Sequence, residues 1–173
     1  MNEPFQKPEV LIAVIALFVS ILSIFLTLVT IWQTKKHNRL SVKPICHIYP
    51  PDRENHIAVI IQNNGTGPLI SKSIKVYDEA NNIKKYLIDL MPQLPPGLYW
   101  SDFSKTENFS ILPGGQKVLL ELKGNDEDPE FKDLRDKVRK RLSEITIEYE
   151  FTDIYEQRFP KIIFKLQWFG RVK

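Results

Sequence analysis

Cys46 is the chain's one cysteine among 173 residues, so no internal disulfide can form and a reducing compartment is acceptable to the fold. A strong charge of one sign is missing too. Lys and Arg number 24 against 21 Asp and Glu, a formal net charge of +3, which calls for no duplex nucleic acid as partner. Catalytic signatures are absent: there is no HExxH, GxSxG, CxxC or Walker sequence. The three histidines, His37, His47 and His56, are scattered. Asn63-Asn-Gly-Thr-Gly67 precedes a strand pattern rather than a helix, so it reads as a hairpin turn and not a phosphate loop. Asp52, Asp102 and Asp153 fall in turn sequences, where aspartate is common. The expectation is a protein that is not an enzyme and that carries no metal and no cofactor.

What the chain does have is one long hydrophobic run. Val10 to Trp32 is 23 residues without a charge, a glycine or a proline. As a helix it spans roughly 34 Å, enough to cross a hydrocarbon core of about 30 Å with some tilt. The run exceeds the h-region of a signal peptide, and the following TIWQTKK has no small-x-small cleavage site. One lysine precedes the run, whereas Lys35, Lys36, Arg39 and Lys43 follow it, which predicts a cytoplasmic C-terminal side. Trp32, Lys35, Lys36 and Arg39 are expected at the membrane surface. In that orientation the sequons at Asn64 and Asn108 are without consequence.

The run is punctuated. Ala13, Ala16, Ser20, Ser23, Thr27 and Thr30 are spaced 3, 4, 3, 4 and 3, and no other residue between them is small or hydroxyl-bearing. Those are heptad a and d positions, and small residues let helix backbones approach closely in lipid. The stripe predicts a helix–helix seam in a homo-oligomer. A blander reading is that each hydroxyl bonds its own i−4 carbonyl and faces lipid.

Downstream the period becomes two. Strands are expected at Ile45–Tyr49, His56–Gln62, Leu69–Tyr77, Ile83–Leu90, Phe109–Leu112 and Gln116–Lys123. A last pair is expected at Glu144–Thr152 and Lys161–Trp168. In the last pair Ile145, Ile147, Tyr149 and Phe151 share one face, and Ile162, Phe164, Leu166 and Trp168 another. Lys161 and Lys165 are placed to meet the row of glutamates on the neighbouring strand. One helix interrupts: Asp128 caps, Pro129 fits the first turn, and Phe131, Leu134, Val138 and Leu142 form its apolar stripe. Short strands with turns between them predict an antiparallel β-sandwich with one inserted helix. The expected organisation is a non-cytoplasmic tail at 1–9, a transmembrane helix at 10–32, a juxtamembrane helix or linker at 33–43 and a cytosolic sandwich at 44–173.

The stretches NNGTGPLISKSIKVYD, ILPGGQKVLLEL and ITIEYEFTDIYEQRF resemble a recurrent arrangement in bacterial single-pass membrane proteins. These have an N-terminal membrane helix, then an immunoglobulin-like sandwich with an N-x-G-x-G-P turn, an L-x-P-G turn and a closing Y-x-D hairpin. Glu150-Phe-Thr-Asp153 departs from the last of these. Some similar small proteins are membrane effectors of antiviral defence, so the resemblance implies a bacterial inner-membrane protein of that kind.

For binding, Tyr99 and Trp100 sit in the proline-rich loop Met91–Phe103, either to anchor a ligand or partner or to plug one end of the sandwich. Lys137, Arg139, Lys140 and Arg141 either receive phosphates, such as those of a nucleotide second messenger, or form a solvated helix end. Two functions stay open: a sensor that couples a ligand or protein partner to an associating membrane helix, and a membrane-anchored scaffold.

Overall fold

The computed structural model describes residues 8–171, so most of the expected tail lies outside the described residues. The chain divides into two compact units, 1–41 and 42–173.

The first unit is a single helix, α1 (Pro8–Ser41), 34 residues long. Proline fits the first turn, Glu9 lies at the positive end of the helix dipole and Arg39 at the negative end. None of its residues is buried. A helix apolar all round belongs in a core or a membrane, and α1 is long and apolar enough to span one. The expected juxtamembrane stretch continues the same helix without a break as far as Ser41.

The second unit is mainly β. Its strands are β1 (Cys46–Tyr49), β2 (Asp52–Arg53), β3 (His56–Asn63), β4 (Leu69–Asp78), β5 (Ile83–Lys84), β6 (Asp102–Phe103), β7 (Ser110–Ile111), β8 (Gln116–Lys123), β9 (Ile145–Thr152) and β10 (Ile162–Lys165). One antiparallel sheet runs β1-β3-β8-β6 with β2 also on β3. The other runs β10-β9-β4-β5 with β7 also on β4. Both contribute to one hydrophobic core: Ile57, Val59 and Ile61 from the first, Val76, Ile147 and Tyr149 from the second. Strand β3 is buried without interruption from Ile57 to Ile61, as befits a central strand. In β9 the expected face is the buried one, Ile145, Ile147, Tyr149 and Phe151.

Helix α2 (Pro129–Ser143) begins where its cap predicts. The Asp128 carboxylate accepts from the Glu130 amide at 3.0 Å. Phe131, Leu134, Val138 and Leu142 are at most 2% exposed, and burying each is worth about 1.5–3 kcal/mol. This stripe fixes the helix on the sheets.

Three expectations need correction. The strand expected at Ile83–Leu90 ends at Lys84, and a 3₁₀ turn, Leu87–Leu90, follows. That turn brings Leu87 and Leu90 to one side, both buried. The strand expected to reach Trp168 ends at Lys165, and the 3₁₀ helix Gln167–Arg171 buries Phe169 and leaves Trp168 52% exposed. The change of period there moves the inward position by one residue. Of the two lysines, Lys161 meets Glu148 at 2.8 Å and Glu150 at 3.2 Å, while no such pair involves Lys165 among the described residues.

Candidate functional site

On α1 the hydroxyl groups bond locally. Ser20, Ser23 and Thr27 donate to the carbonyls of Ala16, Val19 and Ser23 at 2.8 Å each, and Thr30 donates to Leu26 at 2.9 Å. Each donor is thereby satisfied inside its own helix, while lone pairs on the hydroxyl oxygens remain. With Ala13 and Ala16 they form one narrow stripe of small side chains. At the other end of the apolar run the Lys36 ammonium lies 5.5 Å from the Trp32 ring centroid, and Lys35 and Arg39 are exposed beside them.

The residues that directly follow α1 are fixed to the sheets by the turn Asn63–Pro68. Asn63 is fully buried. Its side-chain oxygen accepts from the amides of Ile45 at 3.2 Å and Gly65 at 3.0 Å. Its amide nitrogen donates to the carbonyls of Gly67 at 2.8 Å and Ile111 at 3.0 Å. That uses the full capacity of the group. Around it Thr66 donates to the Lys43 carbonyl at 3.1 Å and Asn64 to that of Ile45 at 2.8 Å. The backbones approach so closely that a Cβ on Gly65 would lie 2.3 Å from the Lys43 carbonyl oxygen, and one on Gly67 1.7 Å from that of Val42. Both glycines are there to let the strand-leading segment 42–45 in. The neighbouring Cys46 is a poor nucleophile at neutral pH, because burial pushes its thiol up to about 12.

The basic end of α2 turns mostly inward. Arg139 is 4% exposed, with Nε donating to Asp52 Oδ1 at 2.8 Å. Burial opposes its charge, but the bond to Asp52 prevails and its pKa is raised. Arg141 donates to Asp78 Oδ2 at 2.8 Å, to the Leu90 carbonyl at 2.9 Å and to Glu144 at 3.0 Å. Hydrogen bonds from the Asn82 side chain, then from Arg141, hold the Asp78 carboxyl well below the usual carboxylate range. Lys137 and Lys140 stay exposed. The four residues therefore do not converge, and the two arginines tie α2 to β2 and β4. In the loop before β6, Trp100 packs against the core and Tyr99 is 76% exposed.

A groove of about 420 Å³ that sequence reasoning missed is lined by Tyr49, Pro50, Phe164, Trp168 and Arg171 among others. The Arg171 guanidinium covers the Trp168 ring at 3.5 Å from its centroid and lies 3.6 Å from the buried Asp52, so one face of the Trp168 ring is already taken. No metal-holding group of His, Cys, Asp and Glu occurs among the described residues. Neither the scan of protein-family models nor the search of curated proteins returns a match.

Proposed function

We propose that this chain is a self-associating single-pass membrane protein of the bacterial inner membrane. In this reading its C-terminal unit is a cytosolic immunoglobulin-like sandwich that senses a ligand or partner and couples it to a bundle of α1 helices. The observation that carries this is how short the connection is: α1 ends at Ser41, and the Lys43 carbonyl already accepts from the Thr66 amide. An inert tether has no need of so short a connection, whereas a coupled one does. The aligned stripe from Ala13 to Thr30 supports association, since small side chains permit close helix crossing in lipid. The reading assigns the chain no reaction, and a membrane-disrupting effector in antiviral defence is the activity it favours.

The second reading, a scaffold on an inert anchor, draws support from the i−4 bonds of the stripe, which leave no hydroxyl donor in need of a partner helix. One experiment separates them. Replacing Ser20 and Ser23 together with Leu keeps the span hydrophobic, so insertion survives. The coupled reading expects the double variant to lose its oligomer in mild detergent and its membrane leakage on expression. Loss of the oligomer in a chain that never causes leakage favours the scaffold, and an unchanged oligomer overturns the seam. The orientation is tested with alkaline phosphatase fused after Lys173, which is inactive if that end is cytoplasmic.

A further inference from the structure

A second cleft, of about 410 Å³, opens beside the β9–β10 hairpin and is lined by Lys72, Glu150, Phe151, Thr152, Arg158, Phe159 and Lys161. Its construction is unusual in three ways. Lys72 is the extra residue where the β4–β9 register shifts between Ser71 and Ser73, and bulges of this kind re-aim a side chain. Thr152 is 3% exposed, and its hydroxyl oxygen is buried without a hydrogen-bond partner, which normally costs stability and calls for an explanation. Three cations line the cleft against one carboxylate. Lys161 is occupied by Glu148 and Glu150, while Lys72 and Arg158 enter no ion pair among the described residues.

We propose that this cleft is a phosphate-binding site, in which Lys72 and Arg158 pair with the anion and the Thr152 hydroxyl donates to it. Arginine and lysine are the usual partners of phosphate, and an unspent hydroxyl donor beside them completes a charged, hydrogen-bonded pocket. The proposal rests on the sensing reading above and gives it a place. Phe159, in the wall, stacks on Phe151 with centroids 5.2 Å apart and carries the Lys43 ammonium 6.0 Å over its ring. Lys43 is the residue, two positions after α1 ends, whose carbonyl accepts from Thr66 in the clamp that the turn Asn63–Pro68 makes on segment 42–45. A negative charge set down in the cleft acts on that ammonium, and so on the segment that leads from the helix.

The phosphate has two sources, a soluble ligand or a lipid headgroup, and the test separates them. The full chain is placed in nanodiscs of phosphatidylcholine and titrated with AMP and with inorganic phosphate by calorimetry. In parallel, chain released from phosphatidylglycerol nanodiscs is weighed by native mass spectrometry for retained lipid. A soluble ligand predicts saturable binding in the neutral discs. Arg158→Ala and Lys72→Ala, both at exposed positions, then weaken it about tenfold or more. Thr152→Val weakens it less, and Lys137→Ala leaves it unchanged. A lipid source predicts no such titration but retained phosphatidylglycerol that the same variants shed. If neither phosphate form binds, or if Arg158→Ala and Lys72→Ala bind as the parent does, the site is wrong. A working site whose occupancy leaves the oligomer unmoved defeats the coupling and spares the site. A seam that fails only on Ser20 and Ser23 replacement, with an empty cleft, does the reverse.

Discussion

The two units treat the same chemical group in opposite ways. On α1 the hydroxyls of Ser20, Ser23, Thr27 and Thr30 are exposed, yet each donates to a carbonyl one turn back. In the β unit the Thr152 hydroxyl is buried and donates to nothing. An exposed hydroxyl bonded within its own helix needs no outside partner, whereas a buried unbonded one has neither solvent nor protein. Helix α1 is long and apolar enough to span a membrane, and such local bonds would there meet every donor from within the helix. The Ser71 and Tyr149 hydroxyls are in the same state as that of Thr152, and of the three Thr152 is the one that lines the cleft. The units differ as much in what holds them. The β unit is held by a core of side chains that touch one another, and α1 by its own backbone bonds with no side chain buried. Substitutions in the first should therefore change folding, and substitutions in the second should change only how the helix meets other molecules.

The largest effect expected on this view is at the clamp. Gly67→Ala sets a methyl group on the Val42 carbonyl, so segment 42–45 must lift away, at a cost of about 3 kcal/mol or more. The measurement is the denaturant midpoint of the β unit in the detergent-solubilised full chain, with the helical circular dichroism of α1 expected to persist. A parental midpoint would mean that the clamp does not constrain the sheets. Next is Arg139→Ala, which leaves Asp52 buried with Arg171 alone at 3.6 Å and should cost about 3 kcal/mol by the same assay.

Acid should act on the β unit through Asp78. Its folded-state pKa is depressed, so its contribution is complete above the unfolded carboxyl value of about 3.9 and is lost as pH falls from there towards the folded value. Asp78→Asn is expected to be less stable than the parent at pH 7, with the gap closing below about pH 4. A gap that stays constant with pH would remove the carboxylate from the argument. The smallest effect belongs to α1. Ser20→Leu with Ser23→Leu should leave the β-unit midpoint within about 0.5 kcal/mol of the parent, whatever it does to assembly. A larger shift would break the separation between the units.

Much of the fold was legible because period and capping are local. Strands β3, β8 and β9 lie where alternation and apolar runs place them, and α2 starts at its cap and buries the expected stripe. The misses share a physical cause. Arg139 and Asp52 are 87 positions apart, and nothing in a run of basic residues says that a carboxylate from a distant strand will neutralise one of them. Asn63 looked like turn chemistry and is also a buried hub that meets Ile111 across 48 positions. Trp168 went astray because the chain leaves the strand period three residues earlier, and a 3₁₀ turn has no strong local signature. The cleft at Thr152 was illegible for the same reason: it needs the bulge at Lys72 and the returning hairpin together.

The Asn63 hub also sets an order in time. Its partners reach from Ile45 to Ile111, and Gly114 and Gly115 complete the backbone bonds around it. At the usual 5–20 residues per second of synthesis, Gly115 leaves the peptidyl-transferase centre roughly 4–15 s after Ser41. Through that interval α1 is complete, and segment 42–45 has at most its partners at 63–66 to hold it. The bonds from Asn63 to Ile111, Gly114 and Gly115 close only once the second half of the sheets has been made.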